Sequence, residues 1–221
     1  MTKLRIGVLV SGTGSNLQAL IDASRGGRLD ADIAVVISNK AGVRALERAR
    51  EADIPSVVVS HKEFKSRERF EVALIKALRD HDVRCVVLAG FMRLLTGYFL
   101  DAFSGRVINI HPSLLPAFPG VDAQRQAFEH GVKIAGCTVH FVDRGTDTGP
   151  IIAQRALQVR DDDTAETLRA RILELEHQLL PEALQLLAED RLRVEGRRVL
   201  IADEGRRAVD HAALDKAERG A

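Results

Sequence analysis

Short apolar runs alternate with longer stretches in which apolar residues recur every three or four positions. Leu4 to Val10 (LRIGVLV) is a buried-strand pattern closed by Gly12 and Gly14, and Leu17, Leu20, Ile21 and Ser24 follow at helical spacing. Ile33 to Ile37 predicts a second strand, Val43 to Ala52 a helix and Val57 to Val59 a third strand. Ser66 to Arg79 predicts a charged amphipathic helix, Arg84 to Leu88 a fourth strand and Val107 to Ile110 a fifth. Buried strands alternating with helices imply a mostly parallel twisted sheet with helices on both faces, an α/β fold of Rossmann-like type.

The second half has a different rhythm. The loop HPSLLPAFPG, from His111 to Gly120, carries too much proline for a helix or strand, and a short helix is expected at Ala123 to His130. Ala135 to Val142 and Ile151 to Val159 predict antiparallel strands flanking the loop DRGTDTGP. A helix should start at Asp163, with Glu166 completing a capping box and Leu168, Ile172, Leu175 and Leu179 as its buried stripe. Pro181 should kink or restart it, and Arg193 to Ile201 suggests a hairpin around Glu195-Gly196. The expected organisation is one domain over residues 1–202 followed by a polar tail, 203–221.

Composition narrows the function classes. Hydrophobic residues are 46% and charged residues 29%, the make-up of a soluble globular chain. A net charge of +1, from 32 basic and 31 acidic residues, offers no broad field for nucleic acid; with 4% aromatics and no Trp, base stacking is not expected either. No run approaches the roughly 20 apolar residues that span a bilayer. Cys85 and Cys137 lie within apolar runs, which fits reduced thiols in a cytoplasmic protein.

Two clusters carry candidate chemistry. Ser11-Gly12-Thr13-Gly14-Ser15-Asn16 joins the first strand to the first helix, where glycines and helix N–H groups suit an anion. GTGSNL lacks the third glycine of a dinucleotide fingerprint and the Lys-[Ser/Thr] of a P-loop, which favours a single phosphate monoester. The alternative is a tight turn with a capped helix. Asn109 and His111, two apart at the end of the fifth strand, should project to one side at a carboxyl end, where open α/β sheets place ligands. A carboxamide can steady an oxyanion, an imidazole can move protons, and Asp147 could orient His111 or favour its charged form. The alternative is a set of turn hydrogen bonds. The His and carboxylate residues form no ligand-spaced cluster, so no metal is expected.

Asn109-Ile110-His111-Pro112-Ser113-Leu114-Leu115-Pro116 resembles the motif of the folate-dependent formyltransferases, in which an Asn, a His and a downstream Asp form the catalytic set; Asp147 matches the Asp. The SGTGSN loop resembles the 5′-phosphate loop of those members that act on glycinamide ribonucleotide. The runs SNKAGVRALERA, VVLAGFMRLL and TVHFVDRGTDTGPII are similar too, so the resemblance covers about residues 4 to 200. It implies direct formyl transfer from 10-formyltetrahydrofolate to the ribonucleotide amine, in purine biosynthesis. By motif it implies Gly14, Ser15 and Asn16 on the phosphate, Glu176 on the ribose end, and Arg67, Met92, Arg93, Leu94, Leu95, Asn109 and Asp143, Arg144, Gly145, Thr146 and Asp147 around the reduced folate. His140 fits the pattern as well and is expected to be structural. The implied partners are these two small molecules, with neither nucleic acid nor membrane, and a homodimer is left open. The hydrolase and tRNA-modifying branches carry additional domains, for which 221 residues at +1 leave little room. The polar tail and the Arg144-Gly145-Thr146 insert are departures from the family pattern.

Overall fold

The computed structural model describes residues 3–203, so the tail expected at 203–221 lies, beyond its first residue, outside the described residues. Strand β1 (Leu4–Val10) is central, and five of its seven residues are buried because helices cover both of its faces. It pairs in parallel with β2 (Ala31–Ser38) on one side and β4 (Cys85–Leu88) on the other. β3 (Ser56–Val58) extends the sheet beyond β2, and β5 (Val107–His111) extends it beyond β4, both in parallel. β6 (Ile134–Phe141) then runs antiparallel to β5, and β7 (Ile151–Gln158) antiparallel to β6. The terminal hairpin, β8 (Leu192–Glu195) and β9 (Arg198–Ile201), completes a nine-stranded sheet in the order β3-β2-β1-β4-β5-β6-β7-β9-β8. The expected parallel half and antiparallel half are therefore both present.

Alternation along the strands divides the apolar residues into two cores. Val8 and Val10 face helices α1 (Ser15–Arg25), α2 (Arg44–Glu51) and α6 (Ala165–Ala188), in a cluster with Leu17, Leu20, Ile172 and Leu180. Leu9 faces the other way, among Leu74, Leu78 and Phe99 of α3 (Arg67–Arg79) and α4 (Gly97–Ala102). Helix α5 (Ala123–Glu129) packs near α6.

Three expectations require correction. The six-residue α4 was not foreseen, since so short a helix carries no readable period. It is held from outside: buried Glu71 of α3 accepts hydrogen bonds from the Thr96 amide at 2.7 Å and from the Thr96 hydroxyl. The capping box of α6 is Thr164 with Thr167, one residue later than the Asp163–Glu166 pair expected. Asp163 instead caps the preceding turn by accepting from the Arg160 amide, and it pairs with Arg171. Pro181 does not divide α6, which runs unbroken for 24 residues. The proline removes one backbone hydrogen bond, and its burial beside Leu180 and Leu184 offsets that loss.

Thr164→Ala should therefore lower stability by about 1 kcal/mol, visible as a reduced urea midpoint with an unchanged slope, whereas Asp163→Ala should leave the cap of α6 formed.

Candidate active site

Because β1, β4 and β5 are parallel neighbours, their carboxyl ends open at one edge of the sheet. The connections reverse direction between β1 and β4, the position where open α/β sheets form a crevice. The glycine loop after β1 lines one side of it and Met92 to Leu95, after β4, line the other. Ser11 ties the two together: its hydroxyl donates to Asn39 Oδ1 at 2.7 Å and accepts the Met92 amide at 2.9 Å.

Gly14 caps α1 in the left-handed region at φ 70°, and a Cβ there would lie 2.6 Å from that of Ala45, so both the turn and the approach of α2 require glycine. No side chain caps this helix, which leaves the first-turn N–H groups of Ser15 and Asn16 available to an anion. The Asn16 side chain is buried and donates from Nδ2 to Glu176 Oε2 at 2.7 Å, while its Oδ1 is buried with no partner among the described residues. Two residues 160 positions apart thus meet as a single polar unit. Burial pushes the Glu176 carboxyl up to about 6, although the Asn16 hydrogen bond and the charge of Arg169 act in the opposite direction.

The second cluster forms where β5 joins β6. Register places Asn109 opposite His140 and His111 opposite Thr138. Asn109 Nδ2 lies 3.1 Å from His140 Nε2, and His140 Nδ1 lies 2.9 Å from the Phe141 carbonyl. The carbonyl can only accept, so Nδ1 carries the hydrogen and Nε2 offers its lone pair to the Asn109 amide. Burial, the largest influence, pushes the His140 pKa down against the Phe141 carbonyl and the Asp147 charge, in keeping with that neutral ring. His111 is also buried, with Nε2 at 2.9 Å from the Phe118 carbonyl and Nδ1 at 3.5 Å from Asp147 Oδ2. Asp147 reaches both imidazoles, its Oδ1 lying 3.8 Å from His140 Nε2, and Oδ2 accepts the Gly120 amide at 2.7 Å.

The loops that deliver these groups are anchored in the antiparallel half. Thr138 Oγ1 donates to the Ser113 carbonyl at 2.7 Å and accepts the Leu115 amide at 3.0 Å, fixing the proline-rich loop to β6. Ser113 Oγ donates to the Ala117 carbonyl at 2.6 Å, so this hydroxyl is committed to the loop. The DRGTDTGP loop closes tightly: a Cβ on Gly149 would come within 1.7 Å of the Phe141 carbonyl, and Asp147 itself has φ 54°.

The structure brings together Asn109, His111 and Asp147 in one group, and Asn16 with Glu176 in another at the glycine loop. The residues expected around a folate are more dispersed. Met92 and Leu94 are 64% and 60% exposed beside the crevice, Arg93 is exposed, and Leu95 is partly buried against the α3–α4 core. Arg67 is exposed at the start of α3. Asp143 Oδ1 accepts from the Gly145 amide and the Thr148 hydroxyl, which shapes the loop around Thr146, and Arg144 binds both carboxylate oxygens of Asp101 on α4 at 2.9 Å. His140, expected to be structural, is buried and hydrogen-bonded to Asn109 and to the Phe141 carbonyl; its position opposite Asn109 follows from the register of β5 and β6, which local sequence pattern does not show. The Phe118 carbonyl and the Gly120 amide had no signal, because backbone groups are interchangeable along a chain. Among the described residues, no group of three or more His, Cys, Asp or Glu is placed to hold a metal ion, and no helix is long and apolar enough to cross a membrane.

The parallel sheet with its glycine turn and Asn–His–Asp group is that of an α/β enzyme fold with a crevice at the strand ends, and the chain belongs to the formyl transferase family, whose model matches residues 4–184. It is 46% identical to the phosphoribosylglycinamide formyltransferase of Bacillus subtilis, over 83% of this chain and 94% of that one. It is 52% identical to the trifunctional purine biosynthetic protein adenosine-3 of Drosophila melanogaster over 83% of its own length, and that match spans only 14% of the fly protein. The glycinamide ribonucleotide transformylase 1 structure from Symbiobacterium toebii superposes with a TM-score of 0.90 at 55% identity, covering 91% of this chain and 95% of that one.

The pairing of Asn16 with Glu176 generates a pH prediction. Below about pH 4.5, the ordinary glutamate value, the carboxyl is protonated in both folded and unfolded chains. Between there and about 6 the folded chain keeps a proton that the unfolded chain releases, so this group's contribution to stability declines as pH rises, by about 2 kcal/mol in all, and is constant above. Glu176→Gln keeps an acceptor for Asn16 and removes the titration. Its stability relative to the parent should therefore rise across that window in urea unfolding, and a constant difference would remove Glu176 as the source.

Proposed function

We propose that the chain transfers the formyl group of 10-formyltetrahydrofolate to the amine of glycinamide ribonucleotide, as a step of purine biosynthesis. The observation that carries this reading is the convergence of Asn109, His111 and Asp147 at the carboxyl end of β5, two strands from the glycine turn of β1. Adjacent strands are roughly 4.8 Å apart, so a phosphate on that turn and an amine at β5 are separated by a span of roughly 10 Å, which a ribose and a short amide can bridge.

In this reading the ribonucleotide phosphate rests on the amides of Gly14, Ser15 and Asn16, and Glu176 meets the ribose. Met92, Leu94 and Leu95 furnish an apolar wall for the pterin, with Arg67, Arg93 and the 143–147 loop around the rest of the folate. The amine attacks the formyl carbon and the carbonyl oxygen becomes an oxyanion. One Asn109 N–H is held by His140, leaving the other to donate to that oxygen. His111 Nε2 faces the Phe118 carbonyl and so carries a hydrogen; in the protonated ring Nδ1–H donates to the same oxygen, and the Asp147 carboxylate 3.5 Å away balances the positive charge. Collapse breaks the carbon–nitrogen bond to the folate, and the proton lost by the amine passes to the leaving nitrogen beside Asp147.

A spectrophotometric assay of a 10-formylfolate donor tests this directly: folate should be released only when glycinamide ribonucleotide is present, and release to water alone would make the chain a hydrolase. Asp147→Asn should lower kcat by roughly 100- to 1,000-fold with folding intact; a parental rate would remove Asp147 from the mechanism. His140→Ala, which frees the Asn109 amide to rotate, should lower kcat by roughly tenfold or more with little change in either KM, and His140→Gln should recover part of the loss by offering a new acceptor.

A further inference from the structure

The opposite edge of the sheet, where the parallel strands begin, carries a row of arginines. Arg5 lies at the start of β1, Arg84 immediately precedes β4, Arg106 immediately precedes β5, and Arg79 ends α3 beside them. The backbone fixes their spacing: the Arg84 amide donates to the Arg5 carbonyl at 2.9 Å, and the Arg106 carbonyl accepts from Val86 at 2.8 Å. Three neighbouring strands, roughly 4.8 Å apart, thus bring these residues to one edge of the sheet, Arg5 level with Arg84 and Arg106 one residue out of step with it.

These charges are not neutralised from within. Arg79, Arg84 and Arg106 are exposed, and their side chains make no hydrogen bond or ion pair with any described residue. Arg5 donates from Nη2 to the His81 carbonyl at 2.8 Å, while its Nε is buried without a partner. The nearby carboxylates are directed elsewhere: Asp80 binds Lys76, Asp32 lies 3.7 Å from Lys3, and Asp82, on the rim of the cleft, pairs with none of the arginines. Two clefts of about 350 and 490 Å³ share Arg79, Val83 and Arg84; the first extends to Arg106 and Phe103, and the second to Arg5.

We infer that this cleft binds a small polyphosphorylated anion. Like charges held side by side favour a ligand with several linked negative groups, and planar guanidinium forks match phosphate oxygens better than a point charge does. The volume suits a small molecule rather than a polymer, and a chain of net charge +1 supplies no wider positive surface for nucleic acid. Such an anion would sit at the far end of the same strands that carry the formyl-transfer site, separate from the glycine turn.

Isothermal titration calorimetry of the full chain with inorganic tripolyphosphate, and in parallel with a nucleoside triphosphate, tests the assignment. Binding should weaken roughly tenfold or more in the Arg84→Gln/Arg106→Gln double variant and persist in Ser15→Ala/Asn16→Ala, which alters the glycine loop. It should also decline with added salt. Equal affinity for the two ligands would show that the phosphate chain alone is read; tighter nucleotide binding would place a base against Val83 and Phe103. Absence of binding at millimolar concentration, or undiminished binding in the double variant, would overturn the inference. The substituted side chains are exposed, and Arg79→Gln, at the end of α3, is a second variant that should show the same loss should the double variant unfold.

Discussion

The candidate site depends on the register between β5 and β6. That antiparallel join places Asn109 directly opposite His140, so the carboxamide finds an acceptor inside the protein and is held with one hydrogen free. A slip of one residue would turn the whole side-chain set of β6 to the other face. Asn109 would then meet an apolar neighbour, and a partly buried amide without a partner is costly. The half-buried amide is tolerated in this position because the buried His140 imidazole accepts one of its hydrogens.

From that pair the remainder of the site is built outward. His140 is neutral and buried, so it fixes geometry; His111 meets an acceptor at each nitrogen, the Phe118 carbonyl and the Asp147 carboxylate, which holds its ring in place. Asp147 links the two rings and, through the Gly120 amide, the proline-rich loop. One carboxylate thus lies against β5, β6 and the proline-rich loop, and its residue occupies a left-handed backbone conformation. Departures from ordinary backbone geometry are tolerated where surrounding contacts hold them, and here the contacts are Asp143 with the Gly145 amide and Thr148.

The other half of the crevice follows a simpler rule. The glycine turn presents backbone amides at a helix end, a device that needs little from side chains. Glu176 is the exception, because its carboxyl comes from α6 and is held in a buried position by Asn16 alone among the described side chains. Burial raises its pKa and makes it sensitive to any polar group placed beside it.

Much of this was legible in the sequence, for identifiable reasons. Strand and helix periods located β1 to β7, the long helices and the terminal hairpin, since each buries a contiguous apolar face. The GTGSNL turn and the Asn-x-His pair were visible because glycine and proline mark strand ends. Local pattern could not show that Glu71 would secure the short α4, that Thr164 rather than Asp163 would cap α6, or that Pro181 would be absorbed by packing. Those outcomes were settled by contacts between distant segments. The same division holds for the site: residue types and their spacing specified an amide, an imidazole and a carboxylate, whereas the pairing of Asn109 with His140 and of Asn16 with Glu176, and the seating of His111 against a backbone carbonyl, exist only after the sheet has closed. A one-dimensional chain can encode which groups are present and which way a strand turns them; distances across strands are properties of the packed molecule.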